Sequence, residues 1–147
     1  MSSSWDAYKQ TMVTAPTLWS AAKENDLPTI AQLCEQGHDL QARDPRGYSP
    51  LMLAAYTGNS EAVALLIDRG ADVDSVDLSG NSVLMGATFR GHEDIFHQLL
   101  AAGANVTAKN HAGLDAHGFA VMFGRTALAA QLQLSVNPHA EPSKGAF

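Results

Sequence analysis

The sequence predicts an all-α solenoid, a single stack of helix-turn-helix units joined by short projecting hairpin loops. Glycines recur at one step of 33 residues: Gly37, Gly70 and Gly103; Gly47, Gly80 and Gly113; Gly58, Gly91 and Gly124. Apolar positions keep the same step, as in Leu18, Leu51 and Leu84, in Ala21, Ala54, Ala87 and Ala120, and in Leu33, Leu66 and Leu99. Each period reads as helix, tight turn, helix, loop. A unit of that length buries its apolar face only against its neighbours, so the period implies a stack.

Residues 1–14 form a lead-in segment in which Trp5 and Tyr8, three apart, are placed to pack on the first unit or to fold into a groove. The first unit, 15–43, runs from Pro16-Thr-Leu-Trp-Ser-Ala-Ala22 through Leu33-Cys34 and Gly37, without a leading turn. The second, 44–76, is the most regular. Ser49 is placed to cap its first helix and Pro50 to occupy the first turn, where a missing N–H costs nothing. Gly58 ends that helix in a left-handed conformation, and Ser60 to Ile67 has the apolar spacing of a second helix. The third unit, 77–109, repeats this grammar, and the fourth, 110–135, carries Asp115-Ala-His117 in place of Ser49-Pro-Leu51. Asp44, Asp77 and Asn110 share one position at the start of each hairpin, where a short polar side chain holds the turn through its own backbone. Residues 136–147, with two prolines and a glycine, are expected to form a flexible tail.

The chain has 147 residues, 46% of them apolar and 16% charged, which suits one domain with a real core and excludes the composition of a disordered chain. Nine Lys+Arg against fifteen Asp+Glu leave a net charge of -6, a poor footing for general nucleic-acid binding. The single cysteine, Cys34, excludes an intramolecular disulfide and a cysteine-rich metal site. It shares its repeat position with Ile67 and Leu100, so it is expected to be a small core residue. The N-terminus lacks the basic patch and apolar run of a secretory leader, and stretches such as 62–67 are too short to cross a bilayer. A soluble cytoplasmic protein without a membrane partner is expected.

Chemistry-bearing patterns are sparse. His92 and His97 are five apart, off one helical face, and no HExxH motif is present, so no metal site is expected. The glycines mark repeat turns and do not have phosphate-loop spacing, so no cofactor is expected either. No constellation for acid–base or nucleophilic catalysis is visible, and the chain reads as non-enzymatic.

The run Gly47-Tyr-Ser-Pro-Leu-Met-Leu-Ala-Ala55, followed by Gly58, Leu65-Leu66 and Gly70-Ala-Asp-Val73, resembles the ankyrin repeat. So does Gly80-Asn-Ser-Val-Leu-Met-Gly-Ala87, followed by Gly91-His92, Leu99-Leu100 and Gly103-Ala-Asn-Val106, although Val83 replaces the usual proline and Gly86 interrupts the first helix. The resemblance covers residues 15–135, about four units, with irregular ends that suit terminal caps. It implies a local hydrogen-bonding role for His92, where histidine is common in the family.

The resemblance also implies where a partner would sit: on the concave side, at the loop tips and the last exposed positions of each first helix. By repeat position the loop tips are Arg43, Arg46 and Tyr48, then Val76, Leu78 and Asn81, then Lys109, His111 and Leu114. The helix positions are Lys23-Glu24, Tyr56-Thr57, Phe89-Arg90 and Met122-Phe123. Tyr56, Phe89, Met122 and Phe123 would form an apolar stripe, unless Tyr56 and Phe89 serve only in packing. Five of the nine basic residues, Lys23, Arg43, Arg46, Arg90 and Lys109, fall on this side, while Glu61, Asp68, Glu93 and Asp94 fall on second helices. Aromatic residues and arginine dominate interface energetics. The leading expectation is a non-catalytic module that binds or masks a protein with an acidic, partly apolar surface, and that is monomeric without it. A self-associating assembly protein using the same stripe is the alternative. Single-stranded nucleic acid is a third, weakened by the small number of cations.

Overall fold

The computed structural model describes residues 16–136. The expected lead-in at 1–14 and nearly all of the expected tail lie outside them. Eight helices follow in order: α1 Leu18–Glu24, α2 Leu27–Glu35, α3 Pro50–Tyr56, α4 Ser60–Asp68, α5 Val83–Arg90, α6 Glu93–Ala101, α7 Ala116–Met122 and α8 Thr126–Val136. They pair within units, and each pair packs on the next: α1 on α3, α3 on α5 and α5 on α7 through the first helices, α2 on α4 and α4 on α6 through the second. β pairing among the described residues is an isolated bridge between Val76 and Ser82.

Local signals place the helix starts. Ser49, Ser82 and Asp115 cap the first helices by accepting from the amides of Met52, Met85 and Gly118. Thr17 caps α1 one position later in the repeat, in a reciprocal pair with Ser20. Between the helices the chain must turn sharply through a left-handed residue, which Gly58, Gly91 and Gly124 supply at φ 81°, 74° and 72°. The first unit solves the same problem with Asn25 at φ 56°, the non-glycine type best tolerated there. The Asn25 side chain also accepts from the amide of Ala62, at 3.1 Å, tying the turn to the next unit.

The core is the set of repeat positions that face inward. Leu18, Leu51 and Leu84, the alanine series ending at Ala120, and Leu33, Leu66, Leu99 and Leu132 are all buried in one continuous cluster. Cys34 is a correction in degree: it is half-buried at the edge of that cluster, as are Ile67 and Leu100 at its repeat position. Burial pushes its thiol pKa up, opposed by Arg69 and reinforced by Glu35.

Further bonds lock the units in register. The side chain that follows each inter-helix turn reaches back to the preceding unit. Asn59 Nδ2 donates to the carbonyls of Ala22 and Lys23, at 2.8 and 2.7 Å, and Arg125 Nη2 donates to that of Phe89 at 3.0 Å. His92 occupies the same position without a side-chain cap bond; its ring lies against Gly58 of the preceding unit, so it works by packing where hydrogen bonding was expected. In the loops, Gln41 accepts from the amide of Asp72 and Asp74 from that of Asn105, each 31 residues on.

Candidate functional site

Each hairpin is built the same way. Asp44 Oδ1 accepts from the amides of Arg46 and Tyr48, Asp77 Oδ1 from those of Ser79 and Asn81, and Asn110 Oδ1 from those of Ala112 and Leu114, all at 2.9–3.0 Å. The shared polar position thus holds the turn as its type predicts. At Asp44 burial opposes ionisation, but the Tyr48 and Arg46 amides and the Arg46 guanidinium outweigh it and hold the carboxyl below its usual value.

With the hairpins fixed, residues beyond the turn are set against neighbouring units. Leu78 is 71% exposed, yet one side of it lies across Gly47, where an added Cβ would come within 2.6 Å of Leu78 Cγ. His111 covers Gly80 in the same way. Arg43, read as a loop-tip contact, also bridges two hairpins, donating to the carbonyls of Gly47 and Val76. Arg46 pairs with Asp44 at 3.0 Å, and its guanidinium carbon lies 5.0 Å from the Tyr48 ring centroid. Asn81 accepts from Asn110 at 2.8 Å, joining the second hairpin to the third.

The groove contains a cleft of about 210 Å³ between the first and second hairpins and the ends of the first helices. Of the residues singled out in the sequence, Tyr48, Tyr56, Asn81, Phe89 and Arg90 line it. Asp77, Met85, Gly86 and Phe119 complete it. Tyr56 meets Tyr48 edge to face at 5.7 Å between centroids and is half-buried, which makes it both a packing residue and a cleft wall. Its hydroxyl pKa is pushed well above the usual phenol range by burial, then by Asp77 and Tyr48, against the opposing charge of Arg90.

Phe89 meets Phe123 edge to face at 4.6 Å, and Phe123 stacks with Phe119 at 5.8 Å, so the stripe continues into the fourth unit. Arg90 lies 5.8 Å from the Phe89 centroid. Met122 is exposed beyond this cluster, Leu114 lies behind the third hairpin beside Gly118, and Lys109 is exposed at the loop. These last three do not line the cleft. A second, open depression joins Leu78, Asn81 and His111 to Phe119.

Phe119 is therefore central to the aromatic face and was not singled out in the sequence. Its signal was present: it is the aromatic member of a repeat position otherwise held by Ser20, Leu53 and Gly86. Asp77 was read as a turn residue only, and it is also a wall of the cleft.

Among the described residues no three His, Cys, Asp or Glu converge as metal ligands, and no helix is long and apolar enough to cross a membrane. Comparison with curated proteins gave no match. A family model described as ankyrin repeats, in three copies, matches residues 18–110, more than half of the chain. That match spans the first three helix pairs, and the fourth repeats their hairpin and turn geometry. The chain therefore belongs to the ankyrin repeat family, whose stacks serve non-catalytic interaction with other proteins.

Proposed function

We propose that the protein binds or masks a protein partner through its groove face and hairpin tips, and that the partner surface is acidic and partly apolar. The observation that carries this reading is the cleft walled by Tyr48, Tyr56, Phe89 and Phe119, with Arg90 beside it and exposed Leu78 at the neighbouring tip. Buried apolar anchors and rings supply most interface energy, and a cleft of this size suits one inserted side chain.

Charge supports the same orientation. Lys23, Arg43, Arg46, Arg90 and Lys109 are exposed, while the exposed acids Glu61, Asp68, Glu93 and Asp94 lie on α4 and α6. The aspartates at the hairpins spend their carboxylates on backbone amides. Such a distribution steers an acidic partner toward the groove and sets its orientation more than its final affinity. The unit division at 44, 77 and 110 belongs to the same proposal, because it assigns one hairpin tip to each of the last three units.

The experiment is capture from native extract with wild type beside Phe89→Lys and Glu61→Lys, each confirmed folded. The proposal expects a protein held by wild type and Glu61→Lys and lost by Phe89→Lys. Retention by Phe89→Lys would remove the groove from the interface. A change in the mass of the free protein on Phe89→Lys would favour self-association through the stripe.

A further inference from the structure

The cleft in the groove combines aromatic walls with one acid and one base. Tyr48 and Tyr56 wall it from the second unit and Phe119 from the fourth. Gly86 of α5 lies between them and brings no side chain to fill the gap. Asp77 stands in the hairpin that leads into α5, and Arg90 is the last residue of that helix. Asp77 Oδ1 is engaged by the Ser79 and Asn81 amides at 2.9 Å, whereas Oδ2 accepts a longer bond, from Asn81 Nδ2 at 3.3 Å. A carboxylate oxygen with one long bond has room for a further donor. Both charges act on the cleft: after burial, Asp77 is the next cause that raises the Tyr56 hydroxyl pKa, and Arg90 opposes it.

These groups select among the side chains a partner could insert. A carboxylate would be repelled by Asp77 and an ammonium by Arg90, so a charged anchor has an unfavourable neighbour either way. An aliphatic anchor would take water from Asp77 Oδ2 without supplying a donor in its place. A neutral ring with an N–H at its edge meets none of these penalties. We infer that the side chain this cleft accepts is a tryptophan of the partner protein, with its indole N–H donating to Asp77. The inference rests on the groove reading above and names the anchor within it. Indole is a donor without an acceptor, which matches a carboxylate that only accepts. Its faces pack against the tyrosines and Phe119, and indole is the aromatic face that attracts a cation best. Arg90, whose guanidinium carbon already lies 5.8 Å from the Phe89 centroid, is placed to supply that cation. The acidic residues of the partner then belong around the tryptophan, opposite exposed Arg43 and Arg46.

An NMR titration of the full chain with N-acetyl-tryptophanamide, up to about 10 mM, tests it. Saturable shifts at the Gly86 and Phe119 amides are expected in wild type and in Glu61→Lys. The 1-methylindole analogue, which lacks the donor, is expected to bind wild type about tenfold more weakly. In Asp77→Asn, checked for an unchanged melting temperature, an amide still holds the hairpin but sets an NH2 where Oδ2 stood. The two ligands are therefore expected to bind that variant alike. Absence of shifts in wild type overturns the inference, as does equal binding of the two ligands to wild type. So does a preference for the free N–H that survives in Asp77→Asn, or tighter binding of the N-acetyl amides of tyrosine, lysine or glutamate. In the native-extract capture, Asp77→Asn is expected to lose the protein that Glu61→Lys holds. Retention by Asp77→Asn with loss by Phe89→Lys would overturn the indole anchor and leave the groove as the interface. Retention by Phe89→Lys would overturn the groove reading itself.

Discussion

The ring of Tyr56 occupies the space beside Gly86 in the next unit. A Cβ built on Gly86 would fall into that ring, 2.6 Å from both Cδ1 and Cζ. A glycine in a helix interior costs about 1 kcal/mol relative to alanine, and here the omission makes room for an aromatic ring from 30 positions earlier.

Gly86→Ala is therefore expected to destabilise the protein by about 1–3 kcal/mol, through displacement of the ring, despite alanine's better helix propensity. In a Tyr56→Ala background the same substitution should stabilise, by up to about 1 kcal/mol. A double-mutant cycle by denaturant unfolding reads the reversal. The same sign in both backgrounds would mean that the ring and the glycine are not coupled.

At the hairpins, Asn110 already shows that an amide oxygen holds the turn as well as a carboxylate does. Asp77→Asn should change stability little, whereas Asp77→Ala should cost about 1–2 kcal/mol by leaving the Ser79 and Asn81 amides without their acceptor. Equal losses for both variants, measured by thermal unfolding, would assign Asp77 a role for its charge.

Tyr56 makes stability sensitive to alkali. Its folded pKa is raised by burial first and then by Asp77 and Tyr48, so the unfolded chain gives up this proton at lower pH than the folded one. The contribution is intact below the unfolded phenol value of about 10 and is lost as pH rises past it. Tyr56→Phe should flatten the fall of unfolding free energy in that window. An unchanged slope would show that the folded Tyr56 ionises normally.

Cys34 is half-buried, and burial is the first cause of its raised pKa, so the thiolate is scarce. A thiol reagent at neutral pH should label native protein more slowly than denatured protein. Equal rates would place the sulfur in open solvent.

Much of the stack was legible because its determinants are local. A Ser–Pro start, a left-handed glycine and an Asp or Asn at the hairpin act within four residues, and Ser49, Gly58 and Asp77 all do what their types predict. Asn25 escaped notice because a search for glycines passes over the next-best left-handed residue. What spans units was harder to read. Gly86 stood as a departure from pattern until the ring from the preceding unit was placed beside it, and His92 was assigned a hydrogen bond where its neighbour offers a glycine surface. The groove residues Tyr48, Tyr56, Phe89 and Arg90 were found by repeat position, but Phe119 was not, because its importance comes from the rings beside it.

The central claim is that the groove is the binding face, and site-specific photo-crosslinking in native extract tests it most directly. A photoreactive residue at Leu78, on the hairpin tip, is compared with one at Glu61, on α4. An adduct to one protein from position 78, with none from position 61, is the predicted result. An adduct from position 61 with none from position 78 would contradict it and move the interface to the second helices.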